Sequence, residues 1–256
     1  MYPLYPKGYQ KLVKTCKYFF AKNPVFAIEE LTFSFNQKPI CFLNNIKKSI
    51  NFDNLTSKLW VYEAISASFY KTPNIFSSYI SHFYRNDVKN LHLFYQNLSY
   101  NEFLFLASNV EDIGLLEIIV KNENDEIVPL EKLIKALQKI KRIHFRNNLD
   151  SSSITTNTVK ELVEIPHFSK IEKFKLFKLS ELFDIETFFT YLKKNKQTIF
   201  CLFFGDSVSD AYKSRLESII DKIIATEEHD YKPPLIQFSG IPFEKCYSIY
   251  SLYSGK

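Results

Sequence analysis

Glycine is scarce in this chain, which has only five glycines among 256 residues. A loop that cradles a phosphate needs several glycines, because their missing side chains let the backbone come close to the ligand. No glycine-rich phosphate-binding motif occurs in the sequence. We therefore predict that the protein uses no nucleotide-type cofactor, and no other cofactor is indicated.

Cysteine and histidine are also few and lie far apart. The four cysteines form no C-x-x-C pair, and none of the five histidines lies at zinc-ligand spacing from a cysteine or from another histidine. We predict no metal site, and we expect the cysteines to be reduced thiols in the core. The residues concerned are Cys16, Cys41, Cys201 and Cys246, with His82, His92, His144, His167 and His229.

Long apolar runs and blocks of one charge are absent as well. The longest apolar run, "IFCLFF" from Ile199, is far too short to span a bilayer, and the first residues lack a signal-peptide pattern. We therefore expect no membrane association and an intracellular location, in the cytoplasm or nucleus. The net charge of +5 comes from 33 basic and 28 acidic residues mixed together, which does not favour a nucleic-acid partner.

What the chain does contain is a series of short β-rich runs. Each has apolar residues at alternate positions or almost throughout, as expected for a strand with a buried face. They recur every 25 to 36 residues. The runs are "ELTFSF" from Glu30, "KLWVYE" from Lys58, "NLHLFY" from Asn90, "LLEIIV" from Leu115, "RIHFRN" from Arg142, "KFKLFK" from Lys173, "IFCLFF" from Ile199 and "LIQFS" from Leu235.

Stretches at helical spacing lie between these runs, and their first residues resemble helix caps. Ser99 with Glu102 forms a capping-box pattern, and Asp184 precedes an acidic first turn. The predicted helices begin near Ser99, Pro129, Asp184 and Ser209. The repeating unit is therefore strand, loop, helix.

This order predicts an α/β protein with a parallel sheet lined by helices. The period favours a leucine-rich-repeat-like solenoid, a horseshoe of strand-loop-helix units. A doubly wound α/β domain is the alternative. We assign residues 1–25 to an F-box-like or capping helix and 26–256 to the repeat domain, and we interpret "SSSITTNT" at 151–158 as a flexible surface loop.

The stretch "FFGDSVSD", Phe203 to Asp210, resembles the nucleophile block of GDS-type serine hydrolases. In those enzymes the serine lies near the start of the domain and a later Asp-x-x-His supplies the base. Here Ser207 comes late, and His229 has Thr226 three residues before it instead of an aspartate. The structural interpretation of the same stretch is a strand, a turn at Gly205 and a helix cap at Asp206, Ser207 or Ser209. We favour this interpretation and predict no enzymatic activity.

One register of the strands carries a different set of side chains. Residues between the inward apolar ones point to the opposite, open face of the sheet, where repeat proteins usually bind partners. We predict a protein-binding surface made of Trp60, Tyr62, His92, Phe94, His144, Arg146, Lys175 and Phe177, flanked by Thr32, Ser34 and Glu117. The alternative is that loops or another layer of structure cover these aromatic residues.

The N-terminal segment "YPKGYQKLVKTCKYFFAKNP", Tyr5 to Pro24, resembles the second half of an F-box. The rest of the chain is similar in texture to the F-box and F-box-associated (FTH-like) families that are expanded in nematodes. The resemblance implies that this helix docks a Skp-type adaptor, and that the C-terminal part recognises substrates for a cullin-type ubiquitin ligase. The segment before the helix is too short for the first F-box helix, so we expect an F-box-less relative.

We therefore expect a non-enzymatic protein-binding scaffold, and the F-box resemblance implies that it is a ligase substrate receptor. The helix at 7–20 either docks the adaptor or caps the sheet, and both uses bury Leu12, Val13, Cys16 and Phe19. The alternatives are a hydrolase that uses Ser207 and a repeat protein with no ligase link.

Overall fold

A computed structural model describes residues 5–34, 37–44, 46–69 and 72–255. The chain divides into two compact units, Met1–Glu126 and Ile127–Lys256. Each unit combines strands with helices, and most neighbouring strands run parallel. The predicted α/β class with a largely parallel sheet is confirmed.

The first unit begins with two short helices and continues with strands and two further helices. Its helices are α1 (Pro6–Thr15), α2 (Lys17–Lys22), α3 (Ile75–Ile80) and α4 (Tyr100–Ala107). Its strands are β1 (Val25–Ser34), β2 (Ile40–Leu43), β3 (Ile46–Ser49), β4 (Lys58–Ser68), β5 (Phe83–Asn86), β6 (Asn90–Phe94), β7 (Asn97–Ser99), β8 (Asp112–Leu116) and β9 (Ile119–Lys121).

The sheet of this unit has the order β8-β6-β4-β1-β2-β3, and β5 also pairs with β4. The pairs from β8 to β1 are parallel, whereas β1, β2 and β3 form an antiparallel meander. Strands β7 and β9 form a separate parallel pair. The meander was not predicted, because β3, "IKKS", is exposed along its whole length and carries no apolar alternation.

The second unit contains four parallel strands in the order β13-β12-β11-β10. They are β10 (Arg142–Arg146), β11 (Lys173–Leu179), β12 (Ile199–Phe204) and β13 (Leu235–Gln237). The helices are α5 (Leu130–Ala136), α6 (Thr158–Val163), α7 (Ile185–Leu192), α8 (Asp210–Ile224) and α9 (Phe243–Ser254).

The predicted helix starts at Ser99, Asp184 and Ser209 are confirmed by side-chain caps, and α5 begins directly after Pro129, which makes no side-chain cap. Ser99 accepts a hydrogen bond from the Glu102 amide, and the Glu102 carboxylate accepts one from the Ser99 amide, which completes the capping box. Asp184 caps α7, and Ser209 caps α8. Short polar side chains therefore satisfy amide groups that the first turn of each helix leaves unpaired.

Two local predictions were wrong. The helix expected over 7–20 is broken at Cys16, whose backbone is extended. The run "LLEIIV" is not one strand, because Glu117 has a φ of 57° between β8 and β9. Residues 151–157 lie outside any helix or strand, and Thr155, Thr156 and Asn157 are exposed, whereas Ile154 and Thr158 are buried and α6 begins at Thr158.

The central strands alternate between a buried and a half-exposed face. In β6, Leu91 and Leu93 are fully buried, whereas His92 and Phe94 are half-buried. Strand β10 repeats the pattern, with Ile143 buried beside half-buried neighbours. One face of each of these two strands therefore lies in the core, and we call the other, half-exposed face the open face.

Candidate functional site

Helix α1 covers part of the open face in the first unit. Tyr9 is buried, and its ring centroid lies 6.0 Å from that of Trp60. Tyr9 donates a hydrogen bond to the carbonyl of Asn23 at 2.7 Å, and Gln10 donates one to the carbonyl of Ala27 at 2.9 Å. These bonds hold the helix across β1 and β4.

Trp60 and Tyr62 are therefore not exposed, contrary to the predicted open-face surface. They form a buried cluster with Tyr9, Val25 and Ala27. Burial, together with the neighbouring Glu29 carboxylate, raises the pKa of Tyr62 to about 12. For these two residues the alternative interpretation is correct: another layer of structure, helix α1, covers them.

The four residues assigned to capping or adaptor binding divide into two pairs. Leu12 and Val13 are half-buried, and Val13 packs against the cluster under α1. Cys16 and Phe19 are exposed, so the expectation that both are buried is wrong. The break at Cys16 redirects the chain, and α2 has no buried residue.

His92 and Phe94 remain on the open face of the first unit. His92 lies beside Gly114 in the neighbouring strand, and its Nε2 is 3.7 Å from Oδ1 of Asp112. A Cβ atom added at Gly114 would lie only 2.5 Å from Nδ1 of His92. The glycine therefore provides the space that the imidazole occupies.

The flanking residues predicted for this unit are less accessible to a partner than expected. Thr32 and Ser34 are half-buried on β1, beside Ser66 and Ser68 of β4. Glu117 follows the end of β8 in a left-handed turn, so it is not a strand residue.

The second unit brings four predicted residues together. His144 pairs with Lys175 across β10 and β11, and Arg146 pairs with Phe177. All four are half-buried. Phe177 also stacks on Phe203 of β12, with ring centroids 4.6 Å apart and an interplanar angle of 9°. The result is a surface on which a stacked aromatic pair lies beside basic side chains.

Helix α9 borders this surface. Cys201, the β12 partner of Lys175, is buried, and its Sγ lies 3.5 Å from Oη of Tyr253 in α9. Burial raises the pKa of the Cys201 thiol. The open face of this unit therefore adjoins α9 where Lys175 pairs with Cys201.

An aromatic stripe on α9 was not predicted. Phe243, Tyr247 and Tyr250 are exposed by 83%, 67% and 51%, respectively. Their i, i+4, i+7 spacing places them on one side of the helix. The signal is present in "FEKCYSIYSLYS", but sequence periodicity alone cannot distinguish an exposed aromatic stripe from a buried one. We call these three residues the α9 stripe.

Ser207 has the surroundings of a turn residue. It is exposed between the end of β12 and Ser209, which caps α8. His229 is directed elsewhere, with its Nε2 3.0 Å from the carbonyl oxygen of Ile223 and its ring against Tyr231. Of the residues suggested as caps, Ser209 takes the role.

Across the described residues, no cluster of three or more histidine, cysteine, aspartate or glutamate side chains is arranged to hold a metal ion. Among the same residues, no helix is long and apolar enough to cross a membrane. All four cysteines are free thiols; Cys16 is exposed, contrary to the expected core position, whereas Cys41 and Cys201 are buried. Comparison with protein-family models, with curated proteins and with solved structures found no match to this chain.

Proposed function

We propose that this chain is a non-enzymatic protein-binding scaffold whose partner binds the open face of the second unit together with the α9 stripe. The observation that supports this proposal most directly is the α9 stripe, on a helix that contacts β12 through Tyr253 and Cys201, and the Phe177–Phe203 stack on the same sheet adds to it. Aromatic and arginine side chains dominate the binding energy of protein interfaces.

We further propose a leucine-rich-repeat-like solenoid architecture. In the second unit, successive repeats bond at equivalent positions: the Glu172 amide donates to the Lys141 carbonyl, and the Ile199 amide donates to the Glu172 carbonyl, both at 2.8 Å. Such bonds between nearest neighbours are typical of stacked repeats. A doubly wound sheet would have both faces covered, whereas half-exposed residues along β10 and β11 support one open face.

The resemblance to F-box proteins supports a more specific proposal, that the scaffold is a substrate receptor of a cullin-type ubiquitin ligase. In this proposal the exposed Tyr18 and Phe19 of α2 contact the Skp-type adaptor. Leu12 and Val13 stabilise the segment through their half-buried side chains.

Partner capture with paired variants tests the scaffold proposal. We expect proteins captured by the parent chain to be lost with a Phe243→Ala, Tyr247→Ala, Tyr250→Ala triple variant or with Phe177→Ala. They should be retained with Tyr84→Ala, a control on an exposed aromatic residue of the first unit. Identical capture by all variants would contradict the proposed surface. Ester hydrolysis abolished by Ser207→Ala would contradict the non-enzymatic assignment.

Binding of a purified Skp-type adaptor tests the ligase proposal separately. Tyr18→Asp with Phe19→Asp should abolish the adaptor complex, because it places charge on the two proposed contact residues. The fold should be retained, since both side chains are exposed and α2 has no buried residue. Leu104→Asp, at a comparably exposed apolar position on α4, is the control. No adaptor binding by the parent would remove the ligase link and leave the scaffold proposal standing.

A further inference from the structure

The first unit contains a hollow that the proposed protein-binding surface does not use. Its cavity volume is about 600 Å³, and it opens beside β1, the β2–β3 hairpin and the segment 50–55. Small-molecule sites typically have volumes of about 300–1,000 Å³. The hollow is therefore large enough for a small organic ligand.

The lining of the hollow is mainly apolar. One face of the β2–β3 hairpin contributes Cys41, Leu43 and Ile46, and β1 contributes Phe26 and Ile28. Phe26 and Ile46 are exposed by 47% and 57% although they line this concave surface. Covering such side chains with a hydrocarbon would be favourable, because it removes apolar surface from water.

Two amines accompany this apolar lining. Lys48 lies directly opposite Cys41 in the hairpin, which places both side chains on the face toward the hollow. Lys14 of α1 approaches from another element. The lining residues that the structure describes include no acidic side chain. A ligand with one anionic group would therefore meet two positive charges and no carboxylate among the side chains that line the hollow.

We propose that this hollow binds a single-chain amphiphile with a carboxylate head, such as a medium-chain fatty acid. The hydrocarbon chain lies against Phe26, Ile28 and Leu43, and the carboxylate lies between the amines of Lys14 and Lys48. This site is independent of the open face and of the α9 stripe, so it does not rest on the proposed protein-binding function.

Displacement of a fluorescent probe, 11-(dansylamino)undecanoate, by octanoate, decanoate and decanol tests the proposal. We expect decanoate to bind more tightly than octanoate by about fourfold per added methylene, because each buried CH₂ contributes a constant increment. Decanol should bind about tenfold more weakly than decanoate, since it lacks the charge that the lysines recognise. Equal affinities for decanoate and decanol, or no displacement at all, would overturn the proposal.

Matched lysine variants locate the site. Lys14→Ala with Lys48→Ala should reduce decanoate affinity to that of decanol and leave decanol binding unchanged, which also verifies that the variant is folded. Lys11→Ala with Lys47→Ala removes the same charge from the same two elements, but neither residue lines the hollow. A comparable loss of decanoate affinity in this control would show non-specific charge attraction and overturn the assignment.

Discussion

Gly114 shows how closely a single position on the open face is constrained. Its φ is not in the left-handed region, so a side chain is excluded by space alone. The group that occupies this space is the His92 ring, one strand away. The chain has few glycines, and this one is placed where an imidazole lies over the backbone.

We predict that Gly114→Ala destabilises the protein by about 1–3 kcal/mol, because the new Cβ overlaps Nδ1 of His92. His92→Ala should restore most of the loss when combined with it, and urea unfolding of the four proteins measures this coupling. Gly205→Ala is the control, since its nearest contact would be an ordinary 3.5 Å. Additive effects of the two substitutions would contradict the proposed clash.

A pH dependence is expected at Glu181. The hydroxyl and the amide of Ser209 both donate to its carboxylate and hold its pKa below the ordinary value. A depressed folded-state pKa contributes stability that is present above the unfolded-state pKa and is lost as pH falls through the folded-state pKa. Glu181→Gln should therefore reduce the unfolding midpoint at pH 7 but not at the acidic end of the titration.

The control for this prediction is Ser207→Ala, which removes a nearby hydroxyl from an exposed position and leaves the Glu181 carboxylate untouched. It should leave the midpoint unchanged at each pH. Ser209→Ala should be destabilising by about 1 kcal/mol at pH 7, because it removes the cap of α8. A midpoint difference between parent and Glu181→Gln that is constant with pH would contradict the assignment.

At the scale of an element, Tyr9 is central to the packing of α1 on the sheet. Tyr9 is its one buried residue, and it lies against Trp60. Trp60 is itself held by a hydrogen bond from its Nε1 to Asp87 at 2.8 Å and by Arg85 over its ring. Tyr9 is therefore the most deeply buried of the residues, with Gln10 and Val13, that hold the helix on the sheet.

We predict that Tyr9→Ala releases α1 and costs about 2–4 kcal/mol of unfolding free energy. Trp60, the single tryptophan of the chain, reports this directly. Its emission should shift to longer wavelength, and acrylamide should quench it more strongly, because the helix no longer covers it. Tyr18→Ala, at an exposed position on α2, should change neither property. An unchanged spectrum for Tyr9→Ala would show that other groups cover Trp60.

Across the whole molecule, the four free thiols differ in their exposure to solvent, so the rates at which they react report folding. Cys16 is exposed, Cys246 is half-buried, and Cys41 and Cys201 are buried. Burial also raises the pKa of Cys41 and Cys201, which lowers the fraction of reactive thiolate.

We predict that a thiol reagent modifies Cys16 first in the native protein and Cys201 last. All four thiols should react at comparable rates in denaturant. Mass spectrometry of peptides at successive times gives the order. Cys16→Ser should abolish the fast phase, and fast modification of Cys201 in the native state would contradict the packing of α9 described above.

Much of the local structure could be predicted from the sequence. The alternation in "NLHLF" and "RIHFR" marks strands with one buried face, and the Ser99–Glu102 pair marks a helix start. These features are local, because strand alternation and end caps involve residues only a few positions apart. The meander at β2 and β3 could not be predicted in the same way, since its pairing depends on a neighbouring strand.

The sequence by itself determined the α/β class, the order of most elements and, in strands such as β6 and β10, the face on which each residue lies. Only the tertiary structure decided which of these faces is covered. Alternation in "KLWVYE" shows that Trp60 and Tyr62 share a side of β4, but their burial comes from Tyr9, about fifty residues earlier. The α9 stripe is the converse case, in which aromatic residues at core-like spacing remain exposed. Burial depends on contacts between distant segments, and no local pattern encodes those contacts.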